Sequence, residues 1–515
     1  MSFRGVGRCL LVALPILLWG ACGQVYRPVV IPCSTGGIPG CPTEPPPAPS
    51  NFHAVFGISA NVPNYPGGAM QIDVGGDSII AETPTSEPNL PNLGDVPTHA
   101  AVLPGATRVF VSSAGSLLSG GLDEVSSFSP AFDSRIATGF GAVNNLILPP
   151  GSLPVFLNTT ESEFIYVANF GTNSISTINT NFNVVSNTAT VGTNPVSVAE
   201  AAIPGGNKLY VANQGSNTVS SLNAVDSSSN VVNGFKGSTP VWAVARADGQ
   251  KVYVLTQGDG QLVTIDTATD TVVSSLPVGA GANFIFYDPN LNRLYVTNPL
   301  TSVVYVFSDT SGAGDTPLQL AQLAIAGLSA TTTPACPTCG PVIPASVTAL
   351  SDGSRFYVAS YQVATSCPDS FVGSTSACMI PGLTVFDANN FTPEYPTAPT
   401  LTLLTNPPFA ANLTTNQYQY AVPPVPLCAA TAVYPTLYSP GVNRFRVFTV
   451  ASADSSRVYV SMCDAGAIAV INTSGSNTNN SITGTPADTV ITDLPAATQP
   501  SGLLPQNPIF LLPGQ

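Results

Sequence analysis

The chain has 515 residues, with 14 Lys+Arg against 28 Asp+Glu, a formal charge of −14, and 8% charged against 44% hydrophobic residues. Soluble domains carry about 25% charged residues, so Ser, Thr, Asn and Gly must wet this surface. Only three lysines (Lys208, Lys236, Lys251) and a pI near 4.3 exclude a nucleic acid partner and electrostatic adsorption to membranes, because both need clustered cations; just two histidines, His53 and His99, exclude a multi-histidine metal site.

Residues 1–21 read as a signal peptide, with Arg4 and Arg8 ahead of the apolar stretch Leu10 to Trp19, which is too short to span a bilayer. The stretch ends in Leu18-Trp19-Gly20-Ala21-Cys22, which resembles a bacterial lipoprotein lipobox. That resemblance implies cleavage before Cys22 and lipid attachment to it, although Trp19 stands where the pattern usually has Leu; ordinary signal-peptidase cleavage nearby is the alternative. On either reading the protein is exported, to the periplasm or the outer cell surface, and the membrane is met only through the lipid anchor. Residues 22–50 are rich in Pro and Gly and read as a semi-rigid tether, with Cys33 and Cys41 placed to close a small loop.

Residues 51–515 read as one all-β unit. Short runs of Val, Ile, Tyr and Phe alternate with Gly, Asn, Asp and Pro clusters, and helical periodicity is absent. Seven of these runs align: RVFVSSAG at 108–115, FIYVANFG at 164–171, KLYVANQG at 208–215, KVYVLTQG at 251–258, RLYVTNPL at 293–300, RFYVASYQ at 355–362 and RVYVSMCD at 457–464. Thirteen residues beyond six of their aromatics lies a polar residue closing a second run: Asp123, Asn179, Asn223, Asp266, Ser308 and Asn472. A constant offset means one hairpin of fixed register, repeated. From Tyr357 the equivalent is Asp387, an offset of 30, and Cys367 and Cys378 fall within the insertion. A run before each aromatic and another after each hairpin complete four antiparallel strands per unit, the blade of a β-propeller.

The YVAN or YVTN runs followed by strands ending in IN or ID resemble the YVTN family of propeller repeats, over about residues 98–495. The resemblance implies a propeller of four-stranded blades with seven recognisable repeats. Apolar runs at 53–59, 69–74, 78–82 and 503–512 leave two arrangements open. They form an eighth blade that joins both termini, or they decorate a seven-bladed ring. Loop insertions are expected near 328–346, 362–380 and 388–443.

Setting aside Cys9 and Cys22, eight cysteines remain, and an even count in an exported chain points to disulfides. Their order suggests Cys33–Cys41, Cys336–Cys339, Cys367–Cys378 and Cys428–Cys463, out of 105 possible connectivities. Cys336-Pro-Thr-Cys339 also fits a redox pair or half a zinc site, but lacks the βαβ setting of the first and the second ligand pair of the second.

No nucleophile elbow, zincin motif or phosphate-binding loop occurs, and no cofactor or metal is expected. Some proteins resembling this repeat are lactonases with a site at the mouth of the central channel; here such a site would draw on Arg246, Arg293, Arg355 and Arg457, which also read as solvated strand-end charges. The repeated aromatics read as core between blades, and Asp248, Asp352 and Asp454 as turn residues. Tyr395, Tyr418, Tyr420, Tyr434 and Tyr438, in the long insertion among Asn, Gln and Thr, are the candidate contacts for a carbohydrate or protein surface. The sequence thus predicts an exported, lipid-anchored, monomeric propeller acting as a binding or scaffold module for an envelope protein or glycan, with no chemistry of its own. A lactonase-like hydrolase and a redox accessory using Cys336 and Cys339 are the alternatives.

Overall fold

The computed structural model describes residues 54–59, 67–84, 96–114, 123–129, 141–161, 163–203, 206–224, 227–309, 316–332, 335–365, 378–392, 420–421, 446–463, 467–474, 488–494 and 508–514. All of them belong to the compact unit His53–Gln515. They form eight sheets of four antiparallel strands, a β-propeller of eight blades.

Strands are counted outward from the axis. Blade 1 takes its first strand from Pro508–Pro513 and the next three from Ala54–Ser59, Gly68–Asp73 and Ser78–Pro84. Blade 2 is Val96–Val102, Val109–Ala114, Glu124–Ser129 and Gly141–Ile147; blade 3 is Pro154–Asn158, Phe164–Asn169, Ser174–Asn179 and Val184–Thr190. Blade 4 is Pro195–Ala201, Lys208–Asn213, Thr218–Asn223 and Ser229–Val231, and blade 5 is Pro240–Ala245, Lys251–Thr256, Gln261–Asp266 and Thr271–Pro277. Blade 6 is Phe284–Asp288, Arg293–Asn298, Val303–Ser308 and Leu318–Ala324; blade 7 is Ile343–Ala349, Arg355–Ala364, Cys378–Asp387 and Tyr420–Ala421. Blade 8 is Val447–Ala451, Arg457–Met462, Ala467–Asn472 and Thr489–Leu494. First strands touch those of both neighbours, and the contact between Pro508–Pro513 and Val96–Val102 closes the ring. The terminal runs therefore make the eighth blade, and Ala54–Ser59 is paired on both edges.

Antiparallel order places the turns between strands 2 and 3, with the links between blades, on one face, designated upper. Turns between strands 1 and 2 and between strands 3 and 4 lie on the lower face. The constant offset of thirteen is the register of the central hairpin: Asn223 pairs with Lys208, Asp266 with Lys251, Ser308 with Arg293 and Asn472 with Arg457. Asp387 pairs with Arg355 across the hairpin carrying the insertion. Blade 2 departs from the expected pattern. Its third strand ends at Ser129, with Ser113 opposite Glu124, so Asp123 precedes that strand instead of closing it. The upper turns are held by the motif itself. Asn213 Nδ2 bonds Thr218 Oγ1 and Ser220 Oγ, and Gly260, at φ 63°, approaches the Gly279 carbonyl so closely that a Cβ would stand 1.9 Å from its carbon.

Candidate functional site

The repeated aromatics Phe110, Tyr166, Tyr210, Tyr253, Tyr295, Tyr357 and Tyr459 are all 0–1% exposed, packed between blades. Two residues before each stands a cation in six cases, and each cation crosses to the next blade on the lower face. Arg108 donates to the Thr180 carbonyl at 2.7 Å and Asn183 Oδ1 at 2.6 Å; Lys208 to the Thr267 carbonyl at 2.8 Å and Asp270 at 3.1 Å. Lys251 reaches Asp309 at 3.0 Å, Arg293 the Ala388 carbonyl, Arg355 Asp488, and Arg457 Asp77 at 2.7 Å. The hydroxyls of Tyr210 and Tyr357 donate to the same aspartates, Asp270 and Asp488, at 2.5 Å. Ala54 and Phe164 occupy the position in the two remaining blades.

These contacts overturn the reading of the arginines as solvated charges. Arg246 and Arg457 are each 5% exposed, and Arg246 joins Lys251 on Asp309 while also binding Asp248 at 2.7 Å. Burial pulls the Arg246 guanidinium down, but the hydrogen bonds to Asp248 and Asp309 prevail and hold it above its ordinary value. The arginines that a channel-mouth site would have used are committed to joining blades. Asp248, Asp352 and Asp454 accept turn N–H groups, from Gln250, Ser354 and Ser456.

The axis is filled by residues the sequence reading did not single out. At one register level of the first strands stand His99, Phe156, Ser197, Trp242, Phe284, Ser346, Phe448 and Phe510, each opposite the residue two beyond the aromatic position of the second strand. Six of them make a closed cycle of ring contacts: His99–Phe156 4.1 Å, Phe156–Trp242 5.2 Å, Trp242–Phe284 5.1 Å, Phe284–Phe448 5.8 Å, Phe448–Phe510 4.5 Å and Phe510–His99 4.3 Å. All six are buried. The polar members accept a backbone N–H from the following blade: His99 Nδ1 from Leu157, Ser197 Oγ from Ala243 and Ser346 Oγ from Thr449. The signal was in the sequence, as an aromatic early in the runs VWAV, FIFY and FTVA.

Blade 7 breaks the regularity. Its second and third strands have ten residues where other blades have six, so the hairpin rises above the upper face by about four residues, roughly 13 Å. The link from blade 6 folds against this projection. Gln362 accepts from the Leu328 N–H at 2.7 Å and donates to the Leu328 and Gly340 carbonyls, while the Gly340 N–H bonds the Val363 carbonyl at 2.9 Å. A disulfide joins Cys336 to Cys339, with Cα atoms 5.4 Å apart, and packs with Leu328, Ala364 and Ile380 as a small core. Between Leu328, Ser360–Gln362 and Ile380–Gly382 lies a small recess, with room for about one water molecule. The buried Ser360 hydroxyl at its wall makes no hydrogen bond, and the Arg446 guanidinium covers the neighbouring Tyr361 ring at 5.2 Å.

Cys463, fully buried, is also disulfide-bonded. Its expected partner Cys428 lies outside the described residues, as do Cys22, Cys33, Cys41, Cys367, Tyr395, Tyr418, Tyr434 and Tyr438. Cys378 and Tyr420 are placed by backbone alone, paired near each other at the upper end of blade 7, Cys378 with Ala421 and Met379 with Tyr420.

No protein-family model and no curated protein matches the chain. Among solved structures, the periplasmic gluconolactonase PpgL of Pseudomonas aeruginosa is 12% identical, with 90% of this chain and 99% of that one covered and a TM-score of 0.46. A functionally unknown protein from Desulfotomaculum acetoxidans is 13% identical over 64% of this chain and 92% of its own, TM-score 0.45. Hydrazine synthase of Kuenenia stuttgartiensis is 13% identical over 67% and 87%, TM-score 0.39. Likeness at this level is one of fold.

Proposed function

We propose that the protein is an exported propeller, lipid-anchored through Cys22, that acts as a binding or scaffold module for a protein or glycan at the bacterial cell envelope, using its upper face. The observation that carries this reading is the blade 7 projection, a long hairpin on the upper face braced by a disulfide-closed link. Irregular loops fixed on a rigid scaffold are where propellers place specific contacts. Disulfides at Cys336–Cys339 and at Cys463 support an oxidising compartment.

The test is photo-crosslinking in the native host from a probe at Thr338, on the exposed upper link, against the same probe at Asp352 on the lower face. An adduct formed from Thr338 alone is the expected result. Equal or absent adducts, or hydrolysis of any lactone in a panel by the purified protein, would overturn the reading.

A further inference from the structure

Across blades 3 to 6 the described turns of the two faces differ in charge. From Pro149 to Val342, the described upper turns and links carry two charged side chains, Lys236 and Asp259, while the lower turns of the same blades carry Glu161, Glu163, Arg246, Asp248, Asp270 and Asp309. Seven of the nine described cations are drawn into the lower-face contacts between blades, and Arg446 is buried against Tyr361. What the upper face offers instead is neutral hydrogen-bonding groups and rings. Asn173 and Asn217 sit at matching turn positions, at φ 55° and 54°, and each uses Oδ1 to accept the N–H of the following link, Asn194 and Thr239. Their carboxamide NH₂ groups are left over for other acceptors. Phe170 and Phe235, half-buried, stand in the blade 3 turn and in the link from blade 4 to blade 5.

We propose that the upper face across blades 3 to 5 binds a neutral polysaccharide, with Phe170 and Phe235 as stacking rings and Asn173 and Asn217 as hydrogen-bond donors to sugar hydroxyls. This rests on the binding reading above and narrows its partner. An anionic polymer would meet no cation beyond Lys236, and a cationic one would be drawn to the acidic lower face. Rings beside amides and hydroxyls match a sugar, which presents an apolar C–H face edged with hydroxyls.

Native affinity electrophoresis tests the proposal, because the chain's own negative charge drives its migration. Gels contain dextran, galactomannan or xyloglucan as neutral probes, or alginate as the anionic one. Retardation by at least one neutral polymer is expected, weakened about tenfold in apparent affinity by Phe235→Ala or Phe170→Ala, and unchanged by Asp352→Asn on the lower face. Asn217→Asp, which alters charge with little change in volume, is expected to weaken retention too, and mobility in polymer-free gels checks that each variant folds. Retardation by alginate alone, by none of the polymers, or equally in wild type and all upper-face variants would overturn it. Thr338 crosslinks to a protein without polymer retardation would refute this inference and leave the binding reading standing.

Discussion

Asp309 shows what a single residue does in this ring. It is fully buried, binds Arg246 at 2.9 Å and Lys251 at 3.0 Å, and so joins blade 6 to blade 5. Removing one partner of a buried ion pair leaves an uncompensated charge and costs about 3–5 kcal/mol. Asp309→Asn is therefore expected to destabilise by that amount in denaturant unfolding, and a loss under about 1 kcal/mol, the scale of an exposed pair, would show that water reaches the contact. Glu82 behaves in the opposite sense. Its Oε2 is buried without a partner, and burial pushes the carboxyl up to about 7. Between the ordinary value near 4.5 and about 7 the folded state retains a proton that the unfolded chain has released, so stability falls as pH rises through this window. Glu82→Gln is expected to flatten the dependence and to stabilise at pH 8 but not at pH 4; thermal melts across the range check it. The cation two before five of the six tyrosines was visible in the sequence as R/K-x-Y. Its partner was not, because Lys208 and Asp270, or Arg457 and Asp77, meet only when blades are packed side by side.

Hairpins were the most legible elements, since fixed register between strands 2 and 3 leaves a fixed spacing in the sequence. The exception, Asp123, follows from the same physics. In blade 2 the second strand ends at Ala114 and the third begins only at Glu124, so a polar residue at the expected offset landed just ahead of the third strand. The axial cycle was harder to see because its members are one residue per blade, scattered from His99 to Phe510, in runs whose apolar character already read as strand. In blade 7 the Cys336–Cys339 staple closes a very short loop, for which the chain-entropy model gives about 2 kcal/mol. The double variant Cys336→Ser/Cys339→Ser is expected to increase proteolysis within residues 329–342 while lowering global stability by no more than that amount. Collapse of the whole ring on this substitution would mean that the link supports far more than its own recess.

At the scale of the molecule, closure depends on one strand. Pro508–Pro513 pairs with Ala54–Ser59 and brings Phe510 between His99 and Phe448, so both the eighth sheet and the aromatic cycle end there. Truncation before Pro508 would bare the edge of Ala54–Ser59 and open the axis, and exposed edges pair with other chains. Size-exclusion chromatography is expected to show oligomers or aggregate for the truncated chain; a stable monomer would mean that the other seven blades suffice. Blade number was left open by the sequence because terminal strands carry no repeat signature, and only their pairing distinguishes a closing blade from decoration. Address and partner stand further from the fold, resting on Cys22 and on the chemistry of one face. The most direct test of an exported, cross-linked envelope module is intact mass of the protein from its native membrane fraction, with thiols counted before and after reduction. The account predicts a chain beginning at a diacylglyceryl-modified Cys22, with thiols that appear only on reduction. A soluble chain that retains residues 1–21 and has Cys336 and Cys339 free would contradict it.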